Sequence, residues 1–166
     1  MKLLVLAALL LVPAVVYSSG HGDERTLLKG IRRVLVSVKT APELTAAEIS
    51  ANALGKVLET QLSASGVEVA SSGDVSDASL LVFLNAVSTE PLRGSRHWVV
   101  HVSMRLQQPV QLLRTGSLFR GGTWNRSTMF WILPEDDMAR AIRQRVTYLA
   151  DLFVSDLAAS DGRATG

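Results

Sequence analysis

The chain has 166 residues, 48% of them hydrophobic and 19% charged, with a formal net charge of +2. Such a composition excludes an intrinsically disordered chain and leaves room for one domain with a core of ordinary size. The absence of cysteine excludes disulfides and thiolate metal sites, and a charge so close to balance names no partner by itself.

The first 20 residues, MKLLVLAALLLVPAVVYSSG, set one lysine before an apolar run from Leu3 to Tyr17 and follow it with small residues. This is the pattern of a cleaved signal peptide, and the run is shorter than the roughly 20 residues a membrane span needs. An uncleaved anchor is the alternative. No cysteine follows the run, so lipid attachment at an N-terminal cysteine is not expected. Residues 21–32 have the polar and basic character of a spacer.

Residues 33–157 are expected to form a single domain. RVLVSVKT alternates, with Val34, Val36 and Val38 on one face, and predicts a first strand. Pro42 ends it, and a helix is expected from Thr45 as N-cap, with Glu48 completing a capping box and Leu44 with Ile49 as a staple. Ile49, Ala53, Leu54, Val57, Leu58 and Leu62 make its apolar stripe, and Gly66 is placed to stop it. A short strand VEVAS follows, then SLLVFLNAV, apolar at both parities and therefore expected to be covered on both sides. HWVVHVSMRLQ alternates, with Trp98, Val100, Val102, Met104 and Leu106 inward and His97, His101, Ser103, Arg105 and Gln107 outward. A turn is expected at Arg114 to Ser117.

Phe119 and Trp124 stand an odd number of positions apart, so an unbroken strand would send them to opposite faces. Gly121 and Gly122 between them suit a β-bulge, which would turn both aromatics inward and leave Arg120 outward. A phosphate-cradling glycine loop would need a helix directly after the glycines, and TWNRST is a poor helix start. Met138, Ile142, Val146, Leu149 and Phe153 define a long amphipathic final helix. Residues 158–166 are expected to be a disordered tail. The order β-α-β-β-β-β-α predicts an α+β fold, with one mixed, mostly antiparallel sheet of about five strands and two amphipathic helices.

Catalytic raw material is thin. His97 and His101 lie about 13 Å apart on a strand and cannot share a metal ion unaided. Glu135, Asp136 and Asp137 precede a helix, where carboxylates serve its exposed N–H groups. Elbow, P-loop and dinucleotide motifs are absent from the sequence, so neither a catalytic residue, a metal nor a cofactor is expected, and an unrecognised hydrolase is kept only as an alternative. Asn125-Arg126-Ser127 matches the N-glycosylation triplet.

The charges are segregated along the chain. From Pro91 to Pro134 there is no acid, while Arg93, Arg96, Arg105, Arg114, Arg120 and Arg126 occur. Arg105 and Arg120 on an outer sheet face, with Arg93, Arg96 and Arg114 at its loops, would offer bidentate donors to carboxylate or phosphate. The competing reading is that arginine merely solubilises a sheet edge. No aromatic stacking platform is expected among these arginines, and an exported chain does not meet nucleic acid as its normal partner. An anionic protein surface or an anionic envelope polymer fits better.

The element order over residues 33–157, with DASLLVFL after a helix-strand unit and a tryptophan strand before the final helix, resembles small exported α+β domains of bacterial envelope accessory proteins. The TolB N-terminal domain, the CsgG-type secretion lipoproteins and the outer-membrane activators of penicillin-binding proteins are examples. The resemblance carries no motif, so no binding residue transfers, and the missing cysteine departs from the lipoprotein members. It implies a non-enzymatic binding or assembly role, periplasmic or secreted. A membrane-tethered accessory subunit would follow if the N-terminal segment is retained.

Overall fold

A computed structural model describes residues 25–46, 49–89 and 97–162. The elements are β1 (Arg33–Thr40), α1 (Pro42–Ala46), α2 (Ala51–Ala64), β2 (Glu68–Ala70), β3 (Ala78–Ser88), β4 (His97–Gln111), β5 (Leu118–Ser127), β6 (Trp131–Pro134) and α3 (Glu135–Ser160). They form an α+β fold around one mixed sheet of order β2-β1-β3-β4-β5, with β6 also on β4. β1 runs parallel to β2 and β3, and the remaining pairs are antiparallel. β5 and β6 divide one edge of β4 between them: β5 pairs with Ser103 to Gln111 and β6 with His97 to Val100.

The alternation of each strand decides which side chains meet the helices. Val34, Leu80, Val82, Leu84, Val100, Val102, Met104, Leu106 and Trp124 point to one side and are buried there. The stripes of α2 (Leu54, Leu58, Leu62) and α3 (Met138, Ile142, Val146, Leu149, Phe153) close over them. Both long helices lie on this side, so among the described residues there are two layers and the other sheet face has no helical cover. That corrects the expectation for β3: Leu81 and Phe83 are only partly buried, with Lys39 Nζ 5.8 Å from the Phe83 ring centre.

Local signals account for the ends of α2, at a position different from the expected one. Pro42 opens the short α1 instead of merely ending a strand, as its fixed φ allows at a first helical position. α1 ends at Ala46, and Ser50 is the N-cap of α2, its hydroxyl accepting from the Ala53 amide. Thr45 therefore lies inside α1, and Glu48 falls outside the described residues. Ile49 and Leu54, both buried, occupy the staple positions around Ser50. At the other end Gly66 takes φ +79°, its amide bonds the Ser63 carbonyl and the Val67 amide bonds that of Leu62. This is a Schellman stop.

Two outer boundaries also differ. Within the stretch expected to be a spacer, Leu28 and Ile31 are buried in the core, because a turn over Arg25 to Gly30 folds back on α3. The expected tail begins as helix: α3 continues to Ser160, and Asp161 accepts from the Gly30 amide at 3.2 Å. Residues 1–24, including the signal pattern, and 163–166 lie outside the described residues.

Candidate functional site

On the uncovered face, the positions of β3, β4 and β5 run Ser79, Leu81, Phe83, Asn85 and Val87; then Val99, His101, Ser103, Arg105 and Gln107; then Arg120, Gly122 and Asn125. No carboxylate occurs among them. Arg105 is exposed at the centre, in register with Asn125. Its aliphatic stem lies over Gly122, where a Cβ would stand 3.4 Å from Arg105 Cδ. Arg120 crosses β4 to donate from Nη1 to Ser79 Oγ on β3 at 2.8 Å. Both guanidinium groups are therefore carried by the same open face. Arg114 is exposed at the turn between β4 and β5. Arg93 and Arg96 lie outside the described residues.

The opposite end of this face is apolar. Phe130, 71% exposed, stacks on His101 with ring centres 4.9 Å apart, and Val87 and Ile132 are exposed beside the Val99 pairings. The His101–Phe130 pair is an aromatic stack on the same face, at the end away from Arg105 and Arg120. Sequence reasoning missed it because Phe130 follows the end of β5 and only the tertiary path folds it back over β4. His97 and His101 stand on β4 as expected, and no group of three or more His, Asp or Glu that could hold a metal ion occurs among the described residues.

The glycine pair and the bulge are separate features. Leu106 pairs with Trp124 and Gln107 with Gly122, so the extra residue is Thr123, one position beyond the expected site. Its hydroxyl accepts from Gln108 Nε2, which also donates to the Leu27 carbonyl. The parity change does bring Phe119 and Trp124 to the same side. Trp124 is buried, but Phe119 is 47% exposed, contrary to expectation, because it lies past the part of the sheet that the helices cover.

Arg126 departs from the other arginines. It is in register with buried Met104, so it turns to the helical side and donates from Nη2 to Asp156 Oδ2 at 2.9 Å. Asp156, 6% exposed, also accepts from Trp124 Nε1 at 2.9 Å and from Arg25 Nε at 2.9 Å. The cluster clamps β5 and the N-terminal turn to α3. One signal for it was present in the sequence: Asp156 follows Phe153 by three positions, an acid on the apolar stripe of the helix. In the first turn of α3, Glu135, Asp136 and Asp137 complement the helix dipole, while the N-cap itself is Pro134, with no side-chain bond.

At the end where β1 begins, a groove of about 580 Å³ is lined by Lys29, Arg32, Glu68 and Asp161 among others. Glu68 pairs with Arg33 Nε at 3.0 Å. Nearby, Asp77 accepts from the amides of Arg32 and Arg33, both at 2.9 Å, and these bonds hold its carboxyl below the ordinary 3.8.

Solved structures similar to this chain include two bacterial lipoproteins. No family model matches the chain, and no curated protein matches it. A PelC dodecamer from Paraburkholderia phytofirmans is 16% identical with a TM-score of 0.42, covering 77% of this chain and 86% of that one. A minor lipoprotein from Acinetobacter baumannii is 12% identical with a TM-score of 0.39, covering 78% and 94%. Lipoprotein GNA1162 from Neisseria meningitidis is 12% identical with a TM-score of 0.39, covering 75% and 98%.

Proposed function

We propose that this chain is an exported, non-catalytic binding or assembly domain of the cell envelope that takes a carboxylate-rich partner on its uncovered sheet face. One observation carries the reading: a face that no helix covers among the described residues presents Arg105 and Arg120 with no carboxylate among the outward positions of β3, β4 and β5. Gly122 beds the stem of one arginine and Ser79 anchors the other, so both donors are oriented before a partner arrives, which lowers the ordering cost of binding. The apolar end at Val87, Phe130 and Ile132 gives the same partner a dry contact. An acidic protein surface and an anionic envelope polymer share this chemistry. The signal-peptide pattern of residues 1–20 supports the export in this reading.

Calorimetric titration of the full chain with poly-L-glutamate and with polygalacturonate tests the reading. Replacing Arg105 and Arg120 together by alanine should lower affinity about tenfold or more, since hydrogen bonds to charged groups contribute roughly 1.5–3 kcal/mol each. The melting temperature should stay nearly constant, because both side chains are solvated. Equal affinity of the double variant, or a large fall in melting temperature, would assign these arginines a structural role instead.

A further inference from the structure

The hairpin joining β4 to β5 outruns the sheet. The last pair that β3 makes with β4 is Ser79 with Gln107, yet β4 and β5 continue through four more pairs, Gln108 with Gly121 to Gln111 with Leu118. At the strand rise per residue this ribbon projects roughly 13 Å before its turn. A lone two-stranded ribbon is marginal in water, and this one ends in apolar side chains: Leu112 is 48% exposed, Leu113 102%, Leu118 74% and Phe119 47%. Monomeric proteins rarely cluster such groups without a partner.

We infer that the tip of this ribbon, Leu112 to Phe119, seats in the interface of a bilayer containing anionic lipid. Three observations select lipid over a protein socket. First, the apolar groups lie on both sides of the ribbon, Phe119 and Val110 on one and Leu118 on the other. A protein groove would cover one side, whereas a headgroup and acyl boundary surrounds an inserted tip. Second, the apolar tip carries a cationic collar. Arg114 stands at the turn and Arg120 at its base, Arg114 makes no ion pair among the described residues, and the sequence from Pro91 to Pro134 holds no acid. Basic groups beside an inserted apolar tip are drawn to anionic headgroups. Third, the N-terminal segment joins the domain beside the ribbon. Leu27, 51% exposed, has its carbonyl bonded to Gln108 Nε2 at the ribbon's base, and the 24 residues before Arg25 include the apolar run Leu3 to Tyr17. Where that run is retained as an anchor, its point of attachment to the described domain is beside the ribbon's base. The inference concerns the ribbon beyond Gln107. It shares only Arg120 with the face proposed above, so the two stand or fall separately.

The chain has no cysteine, so Thr115→Cys at the turn and Ala139→Cys on exposed α3 each accept one environment-sensitive fluorophore in the full-length protein. Vesicles of phosphatidylcholine alone, and mixed with phosphatidylglycerol, are added with acyl-chain bromine as quencher. The label at position 115 should shift to the blue and be quenched on the mixed vesicles and far less on phosphatidylcholine, with the label at 139 unmoved. Adding Leu112→Ser and Leu113→Ser should cut quenching at 115 about tenfold, even where the N-terminal segment still holds the chain on the vesicle. A label at 115 that stays in water, whether or not the chain sediments, overturns the inference. Quenching unchanged by the serine pair overturns it as well. A label already buried without vesicles, with a doubled molecular mass, would assign the tip to a second copy of this chain.

Discussion

Replacing Asp156 by alanine should be among the most damaging single changes in this domain, and the structure sets its size. The carboxylate is 6% exposed and accepts from Trp124 Nε1, Arg126 Nη2 and Arg25 Nε, each at 2.9 Å. The three bonds are unequal. The Arg25 side chain is 52% exposed, so solvent screens that pair, and its loss alone should cost at most about 1 kcal/mol. The Arg126 side chain is 18% exposed. Taking away Asp156 removes the carboxylate of a mostly buried guanidinium, which keeps only its bond to the Asn125 carbonyl, its place over the Trp124 ring and lesser contacts; losing the carboxylate of such a pair costs about 3–5 kcal/mol, and the change also orphans a buried indole N–H. The expected loss for Asp156→Ala is therefore about 3–5 kcal/mol, or roughly 10 °C or more in melting temperature. Urea titration followed by tryptophan fluorescence measures it. Arg25→Ala should fall near wild type and Arg126→Ala well below it. A loss under about 1 kcal/mol for Asp156→Ala, or the opposite order for the two arginines, would refute the burial argument.

Gly121→Val should destabilise the hairpin, since a Cβ there meets Val110 Cγ2 at 2.8 Å and Phe119 Cε2 at 3.3 Å. Adding Val110→Ala should restore most of the loss in a thermal melt, because the clash is with one stiff β-branched side chain. Gly122→Ala meets only the Arg105 stem, at 3.4 Å, so it should leave the melting temperature unchanged while weakening polyanion binding in the same titration as the arginine variants. Ser50→Ala should cost about 0.5–1 kcal/mol by removing the cap of α2. Asp77 titrates with a depressed folded value because the Arg32 and Arg33 amides bond its carboxylate. Its contribution is fully present above the unfolded value and fades as pH falls below it through the folded value. Asp77→Asn should therefore flatten the acid limb of a stability-versus-pH curve below about pH 4 and leave its shape at neutral pH unchanged.

Legibility followed the range of the interactions. The alternation of β1 and β4, the stripes of α2 and α3 and the Gly66 stop depend on neighbours within a few residues, and the periodicity of side-chain direction makes them readable in one dimension. The outward placement of Arg105 and Arg120 follows from the same parity. Arg126 could not be separated from them by composition. Its inward turn depends on the extra residue Thr123 and on an acid thirty positions away.

Local sequence therefore determined the elements, their buried edges and the segregation of charge, since each is a property of a short window. Only the tertiary structure decided that both long helices cover the same side and leave the other sheet face open. It alone decided that Phe130 folds over His101, that β6 docks on β4 beside β5, and that the hairpin projects past the sheet with its leucines exposed. These outcomes are settled by which surfaces meet across long loops, and burial of one face against a distant partner leaves no period in the chain itself.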